Sequence, residues 1–193
     1  MLHSLLFTSL LSVGAAQAEP PAQPVVIDRL VAVVGDRVVA ASDLEIEAAL
    51  HGRDPSPLMP YFPPDGSHLA RLIEMTLARE QAADVAIYAP SAEDVRLRMA
   101  ALRATWDEPR DWAAFLTRIS RTEEQLATAL YKRMVAERYL MRNVIGTATN
   151  SSDNPDDRIL AGASAYTAWS TAARARGSVR IISALSETSK QAD

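Results

Sequence analysis

Histidine is the first residue type to consider for catalysis, and the 193-residue chain contains three. His3 lies near the N-terminus, and His51 and His68 stand at the two edges of a proline-rich stretch. Together with Glu74 these two offer ligands for a metal ion, yet their spacing fits no H-E-x-x-H or comparable pattern. We therefore predict no metal site and expect both histidines at the surface.

The 24 acidic residues concentrate in pairs where helices are predicted to start. Carboxylates interact favourably with the positive end of a helix dipole, which accounts for these pairs without acid–base catalysis. The pairs are Asp43/Glu45, Glu93/Asp94, Glu123/Glu124 and Asp156/Asp157. The chain also has no cysteine, no G-x-S-x-G motif and no glycine-rich phosphate loop. We therefore predict no catalytic residue, no bound cofactor and a protein that is not an enzyme.

Aromatic side chains are the better candidates for a binding function. Tyr61, Phe62, Trp106 and Trp112 lie in or beside segments that proline interrupts, where burial is harder to achieve. Aromatic residues offer a large contact area at a low cost in side-chain entropy. We predict that these four residues border an apolar groove that binds extended, aromatic-containing peptides. The alternative is that they belong to the hydrophobic core.

The elements that position these residues begin with a β-hairpin. Residues 25–34 are rich in β-branched side chains, and Gly35-Asp36 separates them from a return strand at residues 37–40. A glycine at the first turn position predicts a type II′ turn. Ser42 is predicted to cap the first helix, with Glu45 completing a capping box. Both faces of the first strand are apolar, so a distant segment must cover the hairpin.

Apolar residues at spacings of three and four predict amphipathic helices over the remaining chain. We predict helices over residues 43–50, 67–87, 91–105, 112–119, 122–145 and 157–176, with Gly146 ending the longest one and Asp156 or Asp157 capping the last. Residues 147–157 are polar and aperiodic, which is typical of a linker. Residues 178–183 are the remaining strand-like run, and we predict that they pair with the hairpin. The last helix should then pack against the second and fifth.

Residues 1–18 are predicted to be a secretory signal peptide. A short apolar core at residues 5–13 precedes Ala16-Gln17-Ala18, which fits the A-x-A cleavage pattern, although the preceding residues include no Lys or Arg. About 20 apolar residues are needed to span a bilayer, so we expect no membrane span after cleavage. We predict one domain over residues 19–183 and a flexible tail over 184–193. The formal net charge is −4 and no basic stripe is present, so we expect no nucleic-acid partner.

The opening segment resembles the start of the chaperone core of SurA-type periplasmic proteins. The resemblance rests on Ile27-Asp28-Arg29-Leu30-Val31-Ala32-Val33-Val34, Gly35-Asp36, Val38-Val39 and Ser42-Asp43-Leu44. A more generic likeness runs through residues 72–74, 78–80 and 90–95 and returns at Trp169, residues 172–174 and residues 179–181. It thus covers roughly residues 25–182. In such proteins the N-terminal region, here residues 25–146, joins a C-terminal helix and strand, here residues 158–183.

This resemblance implies a mainly α, multi-helix chaperone domain with a small β-sheet formed by an N-terminal hairpin and a C-terminal strand. It implies ATP-independent binding of unfolded polypeptides, above all outer-membrane proteins, in the periplasm. Parvulin isomerase domains are inserted between the two parts in SurA-type proteins. A domain needs at least about 50 residues, and here only the linker separates Ile145 from Arg158. We therefore expect no prolyl isomerase activity.

Two other functions stay open. One is an adaptor or structural subunit that binds a single dedicated folded partner in the cell envelope through the same groove. The other is a degenerate isomerase that retains activity. A holding chaperone should suppress aggregation of several unrelated unfolded proteins, whereas an adaptor should instead co-purify with one partner.

Overall fold

The computed structural model describes residues 28–64, 66–150 and 153–182. The predicted signal peptide and the predicted tail lie outside these residues. Within them the chain is mainly helical and carries one small antiparallel sheet, which confirms the predicted fold class. None of the described helices combines the length and the apolar character that a membrane crossing requires.

The sheet has three strands in the order β2-β1-β3. Strands β1 (Leu30–Val34) and β2 (Arg37–Ala40) form the predicted hairpin. Gly35 has a φ of +56° whereas Asp36 does not have a positive φ, which is the sign pattern of a type II′ turn. Strand β3 (Val179–Ile181) pairs antiparallel with the other edge of β1. The prediction that the two distant segments meet in one sheet is therefore confirmed.

The first helix, α1 (Ala41–Leu50), follows β2 without a connecting residue. The prediction that Ser42 caps this helix is wrong, because the N-cap is Ala40, whose backbone N–H donates to the Asp43 carboxylate at 3.0 Å. Ser42 lies in the first turn, and its hydroxyl donates to the Asp28 carboxylate at 2.5 Å. The Ser42 side chain thus contacts the segment before the hairpin, and the predicted capping box between Ser42 and Glu45 does not form.

Four further helices pack around α1 and the sheet. They are α2 (His68–Ala82), α3 (Ala92–Arg103), α4 (Pro109–Arg118) and α5 (Glu123–Leu140), and 3₁₀ turns form at Met59–Tyr61 and Ala86–Tyr88. Ser67, Ser91 and Thr122 are the N-caps of α2, α3 and α5, and the side chain of each accepts a backbone hydrogen bond. Helix α2 ends before the predicted residue 87, because Ala83 adopts a φ of +46°.

The prediction that Gly146 ends the longest helix is wrong, because the chain stays helical beyond α5 and through Gly146. A π-helix at Met141–Ile145 follows α5 directly and continues into α6 (Gly146–Thr149), and Gly146 has a helical φ of −60°. Val144 and Ile145 are buried in the core, so packing holds this extension helical. Helix α7 (Pro155–Arg176) begins earlier than predicted, with Asn154 as its N-cap instead of an aspartate. The predicted linker of residues 147–157 is thereby shortened to residues 150–154.

The core consists of three clusters. The first joins the proline-rich loop to α2, α5 and α7, and its buried members are Leu58, Phe62, Met75, Ala78, Ala136, Leu140, Val144, Ile145 and Tyr166. The second joins α1, α3, α4 and α5, with Ile46, Leu50, Leu102, Trp112, Phe115, Ile119, Leu126 and Leu130. The third lies under the sheet and contains Val31, Ala32, Val34, Val39, Ile73, Leu77 and Ala173. Helix α7 contributes to the first and third clusters, so it is integral to the fold.

Candidate functional site

Trp106 and Trp112, the two tryptophans that we predicted to border the groove, lie together in the second cluster. Their ring centroids are 5.2 Å apart, and both rings contact Phe115. Trp112 is only 3% exposed, and its indole N–H donates to Glu123 at 2.6 Å. Trp106 is half-buried, and the Arg53 guanidinium lies 4.6 Å from its ring centroid. The packing of Trp112 is thus that of a core residue.

Tyr61 and Phe62 lie together in the proline-rich loop and pack against α7. The Phe62 ring is 5.4 Å from that of Tyr166 in an edge-to-face arrangement. The half-buried Tyr61 ring lies so close to Gly162 that a Cβ there would come within 2.4 Å of Tyr61 Cε1. Glycine at this position therefore lets the loop approach the helix. The structure thus divides the four predicted residues into two pairs that lie in different clusters.

An open groove, which we call the loop–α7 groove, runs between the proline-rich loop and α7. Its volume is about 860 Å³. The loop wall is residues 60–64, which include Tyr61 and Phe62, whereas Trp106 and Trp112 take no part in the lining. The α7 wall consists of small residues, Ala163, Ser164, Thr167, Ala168, Thr171, Ala172 and Ala175. Because residues four apart share a helix face, these form one continuous stripe.

The α7 wall of the groove is apolar in character. The hydroxyls of Thr167 and Thr171 donate to the carbonyls of Ala163 and Thr167, so their protons are used within the helix. One turn earlier on the same face, Ile159 and Leu160 are 43% and 68% exposed. The stripe therefore continues past the groove as exposed aliphatic surface.

A buried network of charges, which sequence reasoning missed, anchors the proline-rich loop. The Asp54 carboxylate accepts hydrogen bonds from Arg98 at 2.5 and 2.9 Å. Two residues later the Ser56 hydroxyl donates to Glu137 at 2.5 Å. Burial raises the pKa of Glu137, while the Arg98 and Arg133 guanidiniums oppose that rise. The start of the loop is thereby fixed to α3 and α5.

The same network extends to α1 and α2 through Glu47. Its carboxylate accepts from Arg71 Nε at 3.2 Å and from Arg133 Nη1 at 2.5 Å. Arg133 Nε also lies 2.9 Å from Asp54 Oδ2, although the N–H is not aligned for a hydrogen bond. Three arginines therefore face three carboxylates, and the charges balance. Because every carboxylate is held by arginine, the network suits a positioning role better than proton transfer.

A second buried carboxylate, Glu74 on α2, fixes α7. It accepts hydrogen bonds from the Tyr166 hydroxyl at 2.5 Å, the Ser170 hydroxyl at 2.6 Å and the Arg174 guanidinium at 2.9 Å. Burial, and then the charge of Glu74, raise the pKa of Tyr166 above its ordinary value. One wall of the groove is thus attached to the core by polar contacts beneath it.

The two loop histidines are neighbours in space, with ring centroids 5.2 Å apart. His51 is exposed as predicted, whereas His68 is half-buried and its Nδ1 contacts Arg71 Nη2 at 2.5 Å. Among the described residues, no three or more metal-ligating side chains are grouped around a common point. The pair therefore lies at the edge of the charge network, next to Arg71.

A signal for the buried network was present in the sequence. Arg133 and Glu137 are four residues apart and lie among the apolar positions of the α5 stripe. Charged residues on a core-facing stripe are rarely buried unless they are paired. Their partners on α1, α3 and the loop lie 39 to 86 residues away, so the pairing itself could not be read locally.

The chain was compared with protein-family models and with curated proteins. No protein-family model matches it, and no curated protein matches it significantly. The resemblance to SurA-type chaperones therefore stays a prediction that rests on the residues quoted above.

Proposed function

We propose that this protein is an ATP-independent holding chaperone of the periplasm that binds unfolded polypeptides, above all outer-membrane proteins. The observation that carries the proposal is the loop–α7 groove, which is open, apolar and walled by small side chains. A holding chaperone must tolerate many sequences, and a shallow wall of small residues imposes few steric requirements. A buried pocket with fixed polar groups would instead select one ligand.

The dimensions of the groove suit an extended chain. At about 1.5 Å per residue, the stripe from Leu160 to Ala175 is about 22 Å long. An extended polypeptide rises about 3.3 Å per residue, so six or seven client residues fit along it. Apolar side chains of such a segment would cover Leu160 and the aromatic residues of the loop wall. Burial of apolar area is the driving force that this arrangement offers.

The closure of the fold agrees with the resemblance. SurA-type proteins join an N-terminal hairpin to a C-terminal strand, and here β1 pairs with both β2 and β3. Residues 150–154 separate α6 from α7, which leaves no room for an inserted isomerase domain. The predicted signal peptide supports a periplasmic location. The proposal accordingly includes holding without prolyl isomerase activity.

The proposed function is tested by aggregation of chemically unfolded client proteins after dilution. The wild-type protein should suppress light scattering by several unrelated clients without ATP. Ala168→Glu places a charge in the groove at an exposed position and should weaken this suppression. Ala100→Glu is the matched control, because Ala100 is an exposed alanine of α3 outside the groove. The two variants should have the same thermal midpoint.

Three outcomes would contradict the proposal. The wild-type protein could fail to suppress aggregation of any client, or Ala168→Glu and Ala100→Glu could hold clients equally well. The protein could also leave aggregation unchanged and co-purify with one folded envelope protein. That last result would support the adaptor function in place of the chaperone.

A further inference from the structure

Three cationic side chains line two adjoining cavities beside the sheet. Arg37 comes from β2, Arg79 from α2 and Lys132 from α5, and all three border both cavities. The inner cavity has a volume of about 140 Å³ and the outer one about 290 Å³. We call this region the cationic cleft. Its lining shares no residue with the loop–α7 groove.

The cations of the cleft differ from those of the buried network in their partners. Arg71, Arg98 and Arg133 each lie within 3.2 Å of a carboxylate oxygen. Within the described part of the chain, neither Arg79 nor Lys132 forms a hydrogen bond or an ion pair through its side chain, and the same holds for Arg37. The cleft therefore gathers positive charge that no described side chain neutralises by direct contact.

Arg79 is unfavourably placed for a cation. Burial first, and then the neighbouring Arg37 guanidinium, lower the pKa of Arg79, while Asp43 and Glu80 oppose the change. A partly buried cation beside another cation is destabilised by lost hydration and by repulsion. A bound anion would relieve both effects.

Acidic groups also line the cleft, but they do not fill this role. Both oxygens of Glu47 are held by arginines of the buried network. Asp43 Oδ2 accepts the Ala40 backbone N–H at the start of α1. Asp84 borders the outer cavity. Apart from Glu47, two carboxylates border the cleft, Asp43 and Asp84, and Asp43 already accepts a hydrogen bond at the start of α1.

The inner cavity has an apolar side. Ile46, Leu50, Leu72 and Met75 line it together with the cations. An apolar cavity of about 150 Å³ in another protein accepts a benzene molecule. The inner cavity, at about 140 Å³, therefore has room for one group of phenyl size. Its cations stand beside that space.

We propose that the cationic cleft binds a carboxylate attached to an apolar group of about phenyl size. The apolar group enters the inner cavity, and the carboxylate meets Arg79 with Arg37 and Lys132. Two sources provide this chemistry, the C-terminal residue of a polypeptide that ends in an aromatic side chain and a free aromatic carboxylic acid. The proposal stands apart from the chaperone function, because the cleft and the groove are lined by different residues.

The test is fluorescence anisotropy with the full protein and a labelled peptide that ends in phenylalanine. We expect the free-acid peptide to bind and its C-terminally amidated form to bind at least about tenfold more weakly, since amidation removes the charge. Phenylacetate is added as a competitor. If it displaces the peptide at a concentration near its own binding range, the cleft also accepts the free acid. If only the peptide binds, the source is a chain end, and both results support the proposal.

Variants identify the cleft as the binding site. Arg79→Gln and Lys132→Gln should each weaken binding of the free-acid peptide about tenfold. Arg142→Gln, an exposed arginine outside the cleft, should bind like the wild type. The thermal midpoint of Arg79→Gln should not fall, because the Arg79 guanidinium forms no ion pair with any side chain that the structure describes. If that variant does not fold, Lys132→Gln decides, since Lys132 is exposed.

Several results would overturn the inference. They are equal binding of the free-acid and amidated peptides, no binding of either peptide or of phenylacetate, and unchanged affinity in Lys132→Gln. Client holding is tested separately, with Ala168→Glu in the loop–α7 groove. A negative result for the cationic cleft therefore does not contradict the chaperone proposal, and a negative result for client holding does not contradict the proposed carboxylate site.

Discussion

The hydroxyl of Tyr166 donates a 2.5 Å hydrogen bond to the carboxylate of Glu74, which is 92 residues away in the sequence. Both side chains are buried between α2 and α7. Two further donors on α7, Ser170 and Arg174, reach the other oxygen of the same carboxylate. This contact fixes the helix that forms one wall of the loop–α7 groove.

Replacing Tyr166 with phenylalanine tests this contact. The variant leaves Glu74 Oε2 without its hydrogen bond, and hydrogen bonds to charged groups contribute about 1.5–3 kcal/mol. We expect the free energy of unfolding in urea to fall by that amount. Tyr131→Phe is the control, because Tyr131 is 41% exposed and should change stability by less than about 0.5 kcal/mol. Equal losses in both variants would show that the buried contact contributes nothing specific.

Removal of β3 tests the closure of the sheet. A chain that stops at Gly177 loses the backbone pairing of β1 with β3 and the hydrogen bond from Gly35 N–H to the Ser178 carbonyl. We expect a loss of several kcal/mol, a large share of the ~5–15 kcal/mol that stabilises a domain. Urea unfolding of the truncated and full-length chains measures the difference. An unchanged midpoint would contradict the account.

A pair of point variants tests which face of β3 packs against the core. Val179 is half-buried against the third cluster, whereas Ile181 is 52% exposed. Val179→Ser should therefore lower the free energy of unfolding more than Ile181→Ser. The reverse order would mean that β3 packs through its other face.

His51 should make stability depend on pH. Burial first, and then the Arg71 charge, lower the pKa of His51 below its ordinary value of 6.5. The unfolded chain therefore binds more protons than the folded protein around that pH, so stability falls as the pH drops through 6.5 and below. His51→Gln should reduce this dependence when urea midpoints are compared between pH 5 and 7.5.

The difference between His51→Gln and the wild type isolates this histidine. The raised pKa of Glu137 acts in the opposite direction, but it is present in both proteins and cancels. Parallel pH profiles of the two proteins would show that His51 titrates alike in the folded and unfolded chains.

The sheet could be predicted because residues that are neighbours in the sequence specify its hairpin. The β-branched run before Gly35 and the glycine itself specify a hairpin with a type II′ turn, and its two apolar faces require a covering segment. The features that the sequence did not predict depend on contacts between separate elements. Ser42 bonds to Asp28 instead of capping α1, and the Trp112 indole finds Glu123 on another helix, which permits its burial. Neither partner follows from spacing along the chain.

The protein should not catalyse prolyl isomerisation. Cis/trans exchange of X-Pro bonds takes tens to hundreds of seconds without a catalyst, so a test peptide reports activity directly. Addition of the purified protein should leave the exchange rate unchanged. A rate that rises in proportion to protein concentration, with contaminating isomerases excluded, would favour the degenerate isomerase over the proposed chaperone.

Site-specific photo-crosslinking can show whether unfolded clients touch the loop–α7 groove. A benzophenone side chain is introduced at Ala168 in the groove, or at the exposed Ala100 of α3 as the matched control. Each protein is irradiated with several unrelated unfolded clients. We predict adducts with every client from position 168 and few or none from position 100. Equal adduct yields from the two positions, or none from position 168, would contradict the claim that unfolded polypeptides bind along the loop–α7 groove.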